Sequence, residues 1–274
     1  MCIRDRPNPS QYGKQDLSLI AWNFSVALLY KANELPWKYF EFPIDTCFVG
    51  ISFHREYDDN DEAVIRASIA QIFLSDGDNI ILKGKTFRWD DPKKSPHMSE
   101  EYSHKLFDNI LNKYYEHWGH YPSRVVVQKS SEYWEEETRG INDALIEVPK
   151  VDLISITDTD ARFYRLGDNT LVRGTYINLL GKHYLYSVGY IPCLQLYPGA
   201  FIPKPLEIKF HQISSTKEKI CSEILALSRL DWNNIDYSTR EPVTIRFSRR
   251  VGQILSESRA LNMQKIPDKY RYYM

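Results

Sequence analysis

Acidic side chains gather just beyond two apolar runs of this chain. Glu56, Asp58 and Asp59 follow the run from Cys47 to His54, and Glu132 follows Val125-Val126-Val127. Carboxylates converging from strand ends are what a hard divalent cation needs, because magnesium takes charged oxygen ligands. Two such ions would permit metal-assisted phosphodiester cleavage. The competing reading is that these are solvated acids at strand ends, since metal ligands need tighter placement than a position past the strand gives. His117 and His120, three apart at a helix end, read as polar surface residues, and His54 as a local hydrogen-bond partner on the polar face of its strand. Cys2, Cys47, Cys193 and Cys221 form no CxxC pair. Neither a zinc site nor a redox motif follows from them, and a reduced, cytoplasmic setting fits.

Charge gives a divided message. The 274 residues carry a formal net charge of −1, without the overall basic signature of a nucleic-acid binder. From Thr239 to Met274, however, Arg240, Arg246, Arg249, Arg250, Arg259, Lys265, Lys269 and Arg271 face only Glu241, Glu257 and Asp268. Such a basic end could follow a phosphate backbone; a solvated helix face would carry the same residues. Aromatic residues make up 14%, which suits stacking surfaces and aromatic-rich cores alike. With 43% hydrophobic residues, the chain can bury a core without disulfide staples. No secretory signal and no long apolar run point to a membrane. The opening Met1 to Arg6 does not read as the start of a folded element, so the N-terminus is expected upstream.

The elements follow from periodicity. Asp16 can cap a helix to about Ala32, with Leu17, Ile20, Phe24, Ala27 and Leu28 on one face. Cys47 to His54 reads as a strand with Val49, Ile51 and Phe53 on one side and Ser52 and His54 on the other. Ala63 to Leu74 and Ile80 to Phe87 make a hairpin around the turn Asp76-Gly77-Asp78-Asn79. Met98 to Trp118 is helical and ends at Gly119 and Pro122. Val125 to Val127 is a strand buried on both faces, Trp134 to Ile146 a helix, and Val151 to Ile156 a second buried strand. Arg162 to Tyr190 holds paired antiparallel strands, and Leu206 to Phe210 another strand. Ser215-x-x-Glu218 is a capping box before a helix, and Pro242 opens a last one. Mixed strands with helices on both sides indicate an α/β layer fold.

Several segments together resemble the PIWI module of prokaryotic Argonautes. They are Ala21 to Lys31 with Pro36-Trp37, Cys47 to Phe53, Pro122 to Ser131, Arg162 to Arg165 with Arg173-Gly174-Thr175, Tyr197 to Leu206, Leu225 to Asn234, and Pro242 to Phe247. Each is weak alone; their order and spacing make the match specific. The resemblance implies a ribonuclease H-like mixed sheet flanked by helices, with residues 1–42 as the end of a MID domain (1–10 outside its fold) and 43–274 as the PIWI domain.

It also implies where chemistry belongs. Slicing members hold two divalent cations, roughly 4 Å apart, between carboxylates. The matching positions carry Ser52, Ser130 and Arg249: two neutral hydroxyls and a guanidinium that repels cations. The implied function is guide-directed binding without cutting, in prokaryotic defence against plasmids or phage alongside an effector subunit; the alternative is an active nuclease with relocated carboxylates. Guide oligonucleotide and target strand are the implied partners. Lys31 stands where the family contacts the guide 5′-phosphate. The terminal carboxylate of Met274 would reach the same pocket, where Mg2+ would bridge the two anions. Lys129, Arg165 and Arg173, with Lys204, are expected along the duplex channel. Trp22, Trp37 and Trp232 are expected in the core.

Overall fold

The computed structural model describes residues 16–32, 34–37, 45–57, 63–73, 79–81, 86–88, 95–164, 171–197, 202–234 and 236–250. Helix α1 (Leu17–Lys31) starts where Asp16 accepts a hydrogen bond from the Ser18 amide at 2.9 Å. The strands are β1 (Thr46–Tyr57), β2 (Ala63–Phe73), β3 (Asn79–Ile81), β4 (Thr86–Arg88), β5 (Arg124–Lys129), β6 (Lys150–Asp158), β7 (Tyr176–Leu179), β8 (Lys182–Leu185) and β9 (Leu206–Gln212). Between them stand α2 (Glu100–Trp118) and α3 (Glu135–Ala144), followed after β9 by α4 (Lys217–Leu227) and α5 (residues 243–250).

These strands form one sheet in the order β3-β2-β1-β5-β6-β9-β8-β7, with β4 also on β2. β1 pairs with β2 antiparallel and with β5 parallel, and β6 continues the parallel run. The antiparallel start feeding parallel crossovers is the expected ribonuclease H-like arrangement. The third strand differs from expectation: two short pieces, β3 and β4, pair separately with β2.

Both faces of the central strands are covered. Phe48, Val126 and Ile154 pack with Ile220, Ile224, Trp232 and Phe247 on one side. Val49, Ile51, Val125 and Val127 pack with Leu106, Phe107, Ile110 and Ile141 on the other. All six residues of β5 are buried; Val125 to Val127 supply its apolar run, while Arg124, Gln128 and Lys129 are buried polar side chains. Gly119, at φ 75°, closes α2 in the left-handed conformation glycine takes without steric cost.

Two local expectations are revised. The apolar stripe on α1 faces outward: Leu17, Phe24 and Leu28 are exposed, while Val26 is buried and Trp22 and Tyr30 pack on the core. Trp22 Nε1 donates to the Trp232 carbonyl at 2.8 Å, and Trp37 Nε1 to that of Arg229 at 3.0 Å. Tryptophan size and its N–H anchor outweigh the aliphatic stripe. On α4, Thr216 rather than Ser215 is the cap, accepting from the Lys219 amide at 3.3 Å. Ser215 instead donates its hydroxyl to Asp152 Oδ2 at 2.9 Å.

That aspartate belongs to a buried charge cluster. Arg124 on β5 donates through Nε to Asp152 at 2.7 Å and through Nη2 to Glu223 on α4 at 2.9 Å. Asp152 also accepts from the Ser215 amide at 3.0 Å. One guanidinium thus ties two parallel strands to the helix covering them. Among the described residues no helix is long and apolar enough to cross a membrane.

Candidate nucleic-acid interface

β1 and β5 run side by side and end at the same level. Ile51 pairs with Lys129, and the Ser130 amide donates to the Ile51 carbonyl at 3.0 Å. Ser52 and Ser130 therefore leave neighbouring strand ends together. Strand alternation puts Ser52 on the side of Phe48 and Gly50, and Ser130 on that of Val126 and Gln128, the side covered by α4 and α5. Ser52 is buried and Ser130 half-buried.

α5 crosses this face one residue pair earlier. A Cβ added to Gly50 would stand 2.3 Å from the Thr244 carbonyl oxygen, and the Thr244 hydroxyl donates to Gln128 Oε1. Replacing Gly50 with Ala therefore pushes α5 off β1, since the obstructing atom is backbone. We expect a loss of about 1–3 kcal/mol, read as a lower urea midpoint with an unchanged m value. One turn after Thr244, Ser248 is buried against the sheet. Arg249 follows, its side chain 40% exposed and ion-paired with Glu241.

Two hydroxyls and a guanidinium are a poor donor set for a hard dication. Carboxylates of the surroundings are bound by bases: Glu132 by Lys209, Glu137 by Lys129, Asp158 by Arg240 and Glu241 by Arg249. The hydrogen bond from Lys209 holds the Glu132 carboxyl below its ordinary value. Among the described residues no group of three or more His, Cys, Asp or Glu side chains is placed to hold a metal ion. Asp58 and Asp59 lie outside the described residues; Glu56 sits in β1 opposite Val64.

Lys129 is not where the sequence placed it. Its side chain has no exposure, and its ammonium donates to Glu137 and, at 2.9 Å, to the Glu132 carbonyl. It also lies over the rings of Phe53 at 5.1 Å and Tyr133 at 5.0 Å. Burial lowers the Lys129 pKa and raises that of Glu137, each offset in part by the partner. A strand-end lysine has become a core residue of the α3 face.

Arg173 is likewise turned inward. It donates to the Leu225 carbonyl at 2.7 Å, to Ser228 Oγ at 2.8 Å and to Ser238 Oγ at 3.2 Å. The guanidinium fastens its loop to the end of α4. Lys204 pairs with Asp160 at 2.5 Å. Lys31 is exposed in the last turn of α1. Arg165 and Met274 lie outside the described residues.

Sequence reasoning read β9 as a strand but gave Lys209 and His211 no part in the site. Lys209 and His211 share a face of this strand, alternating with Ile208 and Phe210, and that alternation was the available signal. His211 Nε2 lies 2.8 Å from Ser155 Oγ, which donates to the Ser131 carbonyl at 2.7 Å. The loop after Ser130 is thereby linked to β9.

Solved structures share this architecture. An Argonaute structure described as Aa-Ago with externally bound siRNA superposes with a TM-score of 0.66 and 17% identity, over 96% of this chain and 35% of that one. The Clostridium butyricum Argonaute bound to guide DNA and a 19-mer target DNA gives 0.62 and 19%, over 89% and 32%. The Aquifex aeolicus Argonaute gives 0.61 and 16%, over 95% and 35%. This is the fold of the ribonuclease H-like part of an Argonaute. The chain spans about a third of the length of the Argonautes it matches. At these identities the likeness is one of fold, and no protein-family model or curated protein sequence matches the chain.

Proposed function

We propose that this chain is the PIWI module of a prokaryotic Argonaute, with the end of a MID domain at residues 1–42, and that it grips guide and target nucleic acid without cutting them. The observation carrying this reading is the pair of strand ends, joined at Ser130 N–H and Ile51 C=O, that present serines where paired carboxylates would hold metal. Among the described residues, Glu132, Glu137, Asp158 and Glu241 have basic partners of their own. The module would act in the cytoplasm in defence against plasmids or phage, handing its recognition event to an effector subunit that supplies the chemistry.

Lys31, exposed at the end of α1, is the side chain this reading assigns to the guide 5′-phosphate. The carboxylate of Met274 would approach the same phosphate, with Mg2+ neutralising the two anions. Replacing Lys31 with Ala should weaken retention of a 5′-phosphorylated single strand about tenfold or more, the worth of one charge-assisted hydrogen bond, and leave a 5′-hydroxyl strand nearly unaffected. Equal loss for both strands would remove Lys31 from the pocket. Failure to retain either strand at low salt would remove the binding reading itself.

A further inference from the structure

β8 stops short of its neighbour. Its pairing with β9 ends at His183–Ile208, while β9 continues to Gln212 along β6. The notch left beyond β8 is a cavity of about 440 Å³, within the size of small-ligand sites. Three lysines line it from three elements: Lys182 on β8, Lys209 on β9 and Lys217 at the start of α4. Glu207 is the acid among the lining residues, 4.0 Å from Lys182. Lys209 is held by Glu132.

Lys217 is different. Its ammonium lies 3.3 Å from His183 Nε2 and 5.3 Å from the centre of the Phe210 ring, and no carboxylate pairs with it among the described residues. A half-buried cation set against an imidazole and a ring lacks the counter-charge that buried charges normally have. Its neighbourhood shows the consequence. Burial and then Lys217 hold the His183 pKa below its ordinary value, and burial, with Lys209 and Lys129, does the same for His211 despite Glu132. Burial first, and neighbouring ammonium groups second, disfavour charge on both histidines of the notch.

We infer that this notch is a phosphate-binding site, with Lys217 and Lys182 as its anion ligands and Lys209 at its rim. Ammonium groups on flexible stems are point-charge partners for phosphate. The sheet register relates it to the strand ends described above: Ile51, Lys129, Ser155 and Lys209 form one row across β1, β5, β6 and β9. Lys209 is thus two strand spacings, about 10 Å, from Lys129. A backbone phosphate of a bound nucleic-acid strand is one source of such an anion, although the notch runs from Lys209 along β9 toward Gln212, away from Ser52 and Ser130. That source rests on the proposed function; a free phosphate or nucleotide would satisfy the same ligands without it.

The experiment follows the imidazole NMR signals of His183 and His211, assigned with His183→Gln and His211→Gln, during titration with inorganic phosphate and with a 5′-hydroxyl single strand, against chloride at matched ionic strength. Saturable shifts with phosphate are expected, with apparent affinity falling at least tenfold in Lys182→Ala/Lys217→Ala and returning with Lys217→Arg. Shifts with the strand alone would assign the notch to backbone phosphate. Lys182→Glu, at a side chain 64% exposed, repeats the test without disturbing the packing of Lys217. No shift with either probe, or shifts unchanged in these variants, would overturn the inference. Because the strand lacks a 5′-phosphate, such a failure leaves the Lys31 result standing.

Discussion

Replacing Glu137 with Leu should cost this protein about 3–5 kcal/mol, because it strands the Lys129 ammonium in the core. Both side chains of the pair have no exposure, so water cannot take over the role of the lost carboxylate. Burial already disfavours charge at both positions, raising the Glu137 pKa and lowering that of Lys129. The pair is therefore expensive to break and dispensable as a unit. The double variant Lys129→Met/Glu137→Leu should recover most of the loss. Its affinity for single-stranded nucleic acid should stay within about twofold, since solvent-borne phosphates never reach Lys129 and no counterion is released there. Thermal unfolding measures the first effect and filter binding the second. A large affinity loss in the stable double variant would return Lys129 to the interface.

Replacing Arg124 with Leu should be as damaging, for the opposite charge reason. Glu223 and Asp152 would remain as buried carboxylates without their cation. A loss of about 3–5 kcal/mol follows, corresponding to roughly 10 °C in melting temperature for a domain of this size. Lysine at position 124 would rescue only part of the loss, because a single ammonium cannot reproduce the fork spanning Glu223 and Asp152.

What the sequence made legible was periodicity, and it carried the architecture far. The buried run at Val125–Val127, the alternation through Val49, Ile51 and Phe53, and the stops at Gly119 and Pro122 place the central sheet and its covering helices. Its failures share a cause. Periodicity says which residues share a side but not what that side meets. On α1 the aliphatic stripe looked the natural core face, yet Trp22 and Trp37 reach carbonyls about 200 positions away, at Trp232 and Arg229. Thr216 caps α4 in place of Ser215, whose hydroxyl goes to Asp152 on β6.

The same holds for the candidate site. Ser52 and Ser130 leave neighbouring strand ends because two parallel strands in register bring those ends together. Lys129 and Arg173 turn inward to partners that strand periodicity does not reveal. Glu137 meets Lys129 only after the crossover into α3, and Arg173 finds Leu225 and Ser228 more than 50 residues on. Lysines at 182, 209 and 217 carry no local motif. Only the early end of β8 draws them around one cavity.

The central claim is that the serine-bearing strand ends grip nucleic acid and do no chemistry on it. Guide-loaded protein should be incubated with an end-labelled complementary target and excess manganese, and the products resolved at single-nucleotide length. The target should be bound and remain full-length, in wild type and in Ser52→Ala/Ser130→Ala alike. A discrete cut opposite the guide in wild type, abolished by chelation, would contradict it.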